Sequence, residues 1–116
     1  MTIRRIAEEN RLSGAVIAGG MAWLAGQVAD DPAADTEGQT ADILAQIDAL
    51  LAEAGTDKRA LVSVTVVLAD IADAPAMNRA WDAWLDPAHK PARMTIEAKL
   101  VDPRWRVEIT GVALAP

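Results

Sequence analysis

The sequence predicts an α+β fold, with two helices packed on one face of a mixed β-sheet. Apolar and polar residues alternate near both ends of the chain and at its centre, a pattern typical of half-buried strands. Two segments with helical spacing of apolar residues lie between these strands. The resulting order is strands, helix, strand, helix and two strands, and packing both helices on one sheet face is the economical arrangement.

Composition restricts the class of protein. With 116 residues the chain forms one domain, residues 1–116. The net charge of −6 and the scattered basic residues argue against nucleic acid as a partner. A single histidine and no cysteine make a metal site unexpected, and we predict neither metal nor cofactor. The uncharged run from Gly14 to Gly26 is too short to span a bilayer, so we expect no membrane partner and a cytoplasmic protein.

The first third of the chain contains strands and turns. Ile3 to Ala7 is predicted as a short strand. Ala15 to Ala18 and Met21 to Leu24 are predicted as a hairpin around Gly19-Gly20, because glycine reaches positive φ freely. A loop follows from Gly26 to Asp35.

Each helix has a start signal and an apolar stripe. Thr36-Glu37-Gly38-Gln39 resembles a capping box, and Gly55 is a good terminator for this first helix. Asp73 and Pro75 are predicted to start the second helix, and Pro87 to end it. The predicted stripes are Ala41, Leu44, Ile47, Leu51 and Ala54 on the first helix, and Met77, Ala80, Trp81 and Trp84 on the second.

The central strand is predicted from Leu61 to Ala69 by its β-branched residues. Its apolar face is predicted to contain Val62, Val64, Val66 and Leu68.

The last two strands are predicted to pair as a hairpin around Asp102-Pro103. A two-residue loop there would place Glu97 opposite Glu108 and Thr95 opposite Thr110. That register puts the Arg93 guanidinium and the Glu108 carboxylate on one sheet face. Such a pair can hold an anionic substrate beside an acid/base group.

The sheet face away from the helices is predicted to be polar. Its predicted members are Ser63, Thr65, Arg93, Thr95, Glu97, Glu108 and Thr110. One interpretation is a solvated face, which antiparallel sheets commonly have. The other is a face covered by copies of the same chain, with polar clefts between subunits.

At this point the ordered set of segments resembles the Rid family, the reactive intermediate deaminases also called the YjgF family. The matching segments are Ala25-Gly26-Gln27, the helix opened at Thr36, Met77-Asn78-Arg79-Ala80-Trp81, Pro91-Ala92-Arg93 and Val107-Glu108-Ile109. The run from Met77 to Trp84 and the chain length are most similar to the YoaB-like subgroup.

The resemblance implies a chorismate-mutase-like fold of the bacillar type, assembled as a homotrimer whose sheets form a central barrel. It implies hydrolysis of 2-enamino or 2-imino acids to 2-keto acids and ammonia in clefts between subunits. Arg93 matches the carboxylate-binding arginine, and Glu108 matches the water-positioning glutamate. Thr95 matches a position whose backbone carbonyl, in the family, helps the glutamate to position the water molecule. If the Glu97 and Glu108 carboxyls face each other, their repulsion would raise the pKa of one of them. That carboxyl would then keep its proton and could act as a proton donor.

Substrate-binding positions come from the same resemblance. Gly26 and Gln27 lie in a matching segment, and we expect a strand end at an interface there rather than a phosphate loop. The family tyrosine from the early loop corresponds to Leu12, and a cysteine common in the family is replaced by Thr95.

Other interpretations remain open. Arg93 is an ordinary exposed charge in one of them, and Glu108 a salt-bridge partner of Arg106 or Arg93. The alternative function is a non-catalytic trimeric module that binds small carboxylates. A chorismate-mutase-type isomerase ranks last, because it must clamp two carboxylates and the polar face offers one well-placed arginine.

Overall fold

The computed structural model describes all 116 residues as two layers, a six-stranded sheet and a pair of helices, with extents of 42 × 37 × 20 Å. The strands are β1 (Arg4–Glu8), β2 (Ser13–Ala18), β3 (Met21–Leu24), β4 (Leu61–Leu68), β5 (Ala92–Glu97) and β6 (Val107–Leu114), and the helices are α1 (Thr36–Glu53) and α2 (Ala74–Trp84). The predicted fold class and element order are confirmed. Neither helix has the length and apolar content needed to span a membrane.

The sheet order is β1-β2-β3-β6-β4-β5, and only the β4–β5 pair is parallel. The predicted hairpin between the last two strands is therefore wrong, because β4 lies between β5 and β6. The physical reason is the connection through α2: a strand, a crossover helix and a second strand form a parallel unit. Alternation identified both strands correctly, but it contains no information about their partners.

The hairpin of β2 and β3 turns at Gly19 and Gly20, whose φ values are +58° and +78°. Two positive φ angles in a two-residue loop match the twist of the strands, so the predicted glycine turn is confirmed.

The core lies between the sheet and the helices. Its largest fully buried side chains are Ile43, Leu44, Leu51, Leu68, Met77 and Ile109. Gly55 ends α1 with φ +85°, as predicted. The cap of α1 differs from the prediction, since Asp35 rather than Thr36 accepts from the Gly38 backbone N–H, at 2.8 Å.

Two predicted core residues are exposed. Ala41 points away from the sheet, because the buried stripe of α1 runs through Ile43, Leu44 and Ile47. Val62 is 46% exposed, because the β4–β6 register shifts between Leu61 and Ser63 and turns this side chain outward.

The sheet face opposite the helices, here called the outer face, is uncovered. It is less polar than predicted: Trp23, Met94 and Leu114 are each more than half exposed on it. Arg93, Thr95 and Glu97 pair with Val64, Val66 and Leu68, so their side chains lie on the helix side instead. The outer face therefore combines large apolar side chains with Ser63, Thr65, Glu108 and Thr110.

Candidate active site

Arg93 lies on the edge strand β5, where it pairs with Val64, and its side chain extends on the helix side of the sheet to α2. The guanidinium carbon is 5.0 Å from the centre of the Trp81 ring. Nη1 donates to the Met77 sulfur at 3.8 Å, and none of the ion pairs in the molecule involves Arg93. Arg93 is solvent-exposed, and a guanidinium without a carboxylate partner is able to bind an anion.

Thr95 presents its backbone at the open edge of the sheet. The Ala98 N–H donates to the Leu68 carbonyl at 3.0 Å, and alternate residues of a strand direct their backbone groups to the same side. The backbone groups of Arg93, Thr95 and Glu97 therefore point away from β4, toward solvent. A free carbonyl at Thr95, two residues from the guanidinium, is an acceptor for an N–H or O–H group.

Glu108 lies on β6 and pairs with Val67, and its half-buried side chain is on the outer face. Its carboxylate lies over Gly26: a Cβ placed there would be 2.9 Å from the Glu108 carboxyl carbon and closer still to Oε2. Gly26 is thus the residue that leaves room for this carboxylate.

Gln27 fixes the Gly26 segment to β6. Its N–H donates to the Ile109 carbonyl at 2.8 Å, and its own carbonyl accepts from the Ile109 N–H at 3.1 Å. The Gln27 side-chain amide donates to the Ala25 carbonyl at 3.0 Å, and the Thr110 hydroxyl donates to the Leu24 carbonyl at 2.6 Å. Gln27 acts here through its backbone, which orients Gly26 under Glu108.

Leu12 lies in the turn between β1 and β2 and is 51% exposed. The Ala25 N–H donates to the Gly14 carbonyl at 2.9 Å, so the start of β2 lies beside the segment that leads to Gly26. Leu12 therefore lies at the same end of the sheet as Gly26, while β5 and Arg93 are at the opposite edge.

The predicted site residues form two groups. The first is Arg93 and Thr95; together with Trp81 and Met77, the two α2 residues that contact Arg93, we call it the edge half-site. The second, called the face half-site, is Glu108, Gly26, Gln27 and Leu12. Arg93 and Glu108 were predicted to share a sheet face, and this is wrong. They lie on opposite faces, two strands and three residues apart, which separates their Cα atoms by roughly 14 Å.

The predicted pairing of Glu97 with Glu108 is also wrong. The Glu97 carboxylate lies on the helix side, where it accepts from the Ile71 N–H at 2.9 Å. With β4 between the two strands, the carboxyls do not repel each other, and the proton-donor role suggested for that pair has no basis.

The edge half-site contains residues whose role the sequence did not indicate. Met77 and Trp81 were predicted only as core members of the α2 stripe, and both are buried. Their contact with Arg93 depends on α2 packing beside the edge strand, which the parallel β4–α2–β5 unit would have indicated.

A separate cleft of about 450 Å³ lies between the loop before α1 and the loop before β6. Its arginines are already paired: Arg104 Nη2 is 2.7 Å from Asp102, and Arg106 Nη1 is 3.7 Å from Asp73. The Arg104 hydrogen bonds lower the pKa of the Asp102 carboxyl. No group of three or more acidic, histidine or cysteine side chains in the chain is placed to hold a metal ion.

The architecture defines an α+β protein with a six-stranded mixed sheet, one uncovered sheet face and a single helical layer. The family described as Endoribonuclease L-PSP matches residues 2–115. The chain therefore belongs to this family, the Rid or YjgF family, and its relatives below place it with the YoaB-like members.

Curated relatives match nearly the full chain. A protein of Haemophilus ducreyi named RutC family protein is 47% identical over 111 residues, covering 96% of this chain and 95% of the relative. RutC family protein YoaB of Escherichia coli K12 is 45% identical over 113 residues, covering 97% and 98%.

Solved structures share the fold. A member of the YjgF protein family from Neisseria meningitidis superposes with a TM-score of 0.96 at 42% identity, covering 100% of this chain and 97% of the other. An uncharacterized protein from Pseudomonas aeruginosa gives a TM-score of 0.95 at 38% identity, covering 99% and 100%. The α+β fold and family membership predicted from the sequence are thereby confirmed.

Proposed function

We propose that this protein hydrolyses reactive 2-enamino or 2-imino acids to 2-keto acids and ammonia, in clefts between the subunits of a homotrimer. The observation that carries the proposal is Arg93: a guanidinium with no acidic partner, held over an indole at the open edge of a sheet. No metal or cofactor enters the proposed reaction.

The chemistry follows from the two half-sites. Arg93 binds the substrate carboxylate bidentately and so fixes the position of the imine carbon. The Thr95 carbonyl accepts a hydrogen bond from the imine nitrogen or from water. A Glu108 carboxylate orients a water molecule and takes its proton as the oxygen adds to the C=N carbon. The Glu108 carboxyl returns this proton to the nitrogen, which gives a carbinolamine. It then moves the carbinolamine hydroxyl proton to the amino group as the carbon–nitrogen bond breaks, so that ammonia leaves as the keto group forms.

A second copy of the chain is needed to join the half-sites. A small imine bound at Arg93 lies too far from Glu108 of the same chain, and on the wrong side of the sheet. The outer face is uncovered and partly apolar, and its edge strand β5 has free backbone groups. Association of outer faces shields both features and can bring the face half-site of one subunit to the edge half-site of another.

The proposal takes the cytoplasm as the compartment, since a chain without cysteine is compatible with a reducing environment. The net charge of −6 disfavours RNA as the substrate, despite the family description. The second candidate, a non-catalytic module for small carboxylates, is favoured by Leu12: an aliphatic side chain there provides no hydroxyl for proton transfer.

The test generates 2-iminopropionate and 2-iminobutyrate in situ with an amino-acid oxidase and traps the imine with semicarbazide. Wild type should suppress semicarbazone formation, and Arg93→Ala should not. Arg59→Ala is the matched control, because Arg59 is an exposed arginine that is paired with Asp57 and belongs to neither half-site. Absence of suppression by folded wild type refutes the deaminase. Binding of 2-oxobutyrate that is lost in Arg93→Ala would then indicate the non-catalytic module.

A further inference from the structure

We infer that Trp81 is a positioning residue for Arg93, whose indole face holds the guanidinium ready for a carboxylate. This inference rests on the proposed role of Arg93 in binding the substrate carboxylate. It adds to that role a residue of α2 that touches no substrate.

The contact is built into the core rather than formed at the surface. Trp81 is 5% exposed, and its ring is 5.5 Å from the Trp84 ring at an interplanar angle of 52°. Met77, one turn earlier on α2, is fully buried and contacts Nη1 of Arg93. The indole therefore has one fixed orientation, and Arg93 lies against it.

An aromatic face restrains a guanidinium without neutralising it. A carboxylate partner would occupy the N–H donors and compete with the substrate, whereas the ring and the thioether contribute no charge. Free arginine has considerable rotamer freedom, and binding a ligand would have to restrict it. The stacked arginine has lost part of that freedom before the carboxylate arrives, so the carboxylate binds more tightly.

Substitution of Trp81 should affect binding more than chemistry. Trp81→Leu should weaken the affinity for 2-oxobutyrate about fivefold and raise KM by a similar factor, with kcat less affected. Trp81→Phe should retain most of the affinity, because it restores an aromatic face. Arg79→Gln is the control on the same helix: its exposed side chain pairs with Glu37 rather than with Arg93 or Trp81, so the affinity should be unchanged.

The composition allows a sharper test. The chain has no phenylalanine, so Trp81→Phe introduces a single one. Global incorporation of 3,4,5-trifluorophenylalanine then changes only this ring, nearly keeping its shape while weakening the negative potential of its face. Calorimetry with 2-oxobutyrate should show about threefold weaker binding by the fluorinated chain than by Trp81→Phe itself, at an equal Tm.

The outcomes separate this inference from the proposed function. Equal affinities of the fluorinated and ordinary Trp81→Phe chains overturn the inference, even if imine hydrolysis by wild type is intact. A wild type that binds 2-oxobutyrate without hydrolysing imines refutes the deaminase, while the affinity series still decides the role of Trp81. A wild type whose affinity does not depend on Arg93 overturns both.

Discussion

Gly26 illustrates how one small residue shapes the face half-site. A methyl group at this position would overlap the Glu108 carboxylate, and the backbone around Gly26 is held to β6 by the two Gln27–Ile109 hydrogen bonds. The carboxylate, being the movable partner, would have to swing away. Glycine is therefore required at this position because the Glu108 carboxylate occupies the space of a side chain, and not because the backbone needs a positive φ.

We expect Gly26→Ala to lower kcat about a hundredfold, because a displacement of about 1 Å misplaces the attacking water. The 2-oxobutyrate affinity should stay near the wild-type value, since Arg93 is untouched. Steady-state kinetics and calorimetry check this, with the Tm measured to confirm folding. A variant with wild-type kcat would show that Glu108 does not work from the position over Gly26.

The lowered pKa of Asp57 leads to a prediction about the stability of the protein at acid pH. Side-chain hydrogen bonds from Arg59, together with its backbone N–H, lower the pKa of Asp57 from 3.8 to about 2. A lowered folded-state pKa stabilises the protein above the unfolded value, and this contribution disappears as the pH falls from about 4 toward 2.

Carboxyl-carbon NMR shifts should therefore show Asp57 titrating near pH 2, and Arg59→Gln should move that pKa back toward 3.8. If the pKa of Asp57 is the same in Arg59→Gln as in wild type, the hydrogen bonds from Arg59 are not the cause of its low value.

The residues of the site were predictable to different degrees. Arg93, Thr95 and Glu108 are candidates from the family resemblance, and alternation correctly placed each of them on a strand. Alternation did not reveal that Arg93 and Glu108 face opposite ways, because the sheet face of a residue depends on which strands are neighbours. From the sequence, Trp81 is an ordinary core residue of the second helix. Its contact with Arg93 depends on β5 lying beside α2, which the sequence pattern did not indicate.

At the scale of elements, Gln39 joins α1 to the start of β6. The side chain is fully buried, its Oε1 accepts from the Arg106 N–H at 2.9 Å, and its Nε2 donates to the Pro32, Ala34 and Arg104 carbonyls. One amide thus satisfies backbone groups of two loops, which positions β6 and with it Glu108.

Replacement of Gln39 by leucine should lower the free energy of unfolding by about 3 kcal/mol, because the loop groups lose their buried partners. Gln46→Leu on the same helix is the control and should cost about 1 kcal/mol, since Gln46 makes a single side-chain bond, to the Val28 carbonyl. Urea unfolding measures both. Equal losses in the two variants would contradict the linking role of Gln39.

Most element positions were predictable because local chemistry determines them. Gly19-Gly20, Gly55 and Pro75 act on the backbone next to them, and the structure has the turn, the helix end and the helix start where they indicate. Strand pairing is not local: β5 and β6 are close in sequence yet both pair with β4. The nine residues between them form a loop partly ordered by Asp102 and Arg104, rather than a tight turn.

At the scale of the whole molecule, the most notable surface is the outer face, where large apolar side chains are exposed to solvent. The molecule is only 20 Å thick, and one of its two broad sides is a sheet carrying Trp23, Met94 and Leu114 in contact with solvent. We propose that this face associates with other copies of the chain.

We expect light scattering to give a homotrimer of the 12.3-kDa chain. Trp23→Glu should dissociate it, because a charge would be buried without a partner. Ala49→Glu, on the exposed side of α1, is the control and should leave the trimer intact. A monomeric wild type would contradict the proposed cleft between subunits.

The separation of Arg93 and Glu108 onto opposite sides of the sheet has a genetic consequence. A chain that lacks Arg93 and a chain that lacks Glu108 would each be inactive, yet each keeps the part that the other has lost. If equal amounts of the two variants are unfolded and refolded together, about a quarter of all clefts in the proposed trimers combine an intact Arg93 with an intact Glu108. Two defective alleles in one cell would then complement each other.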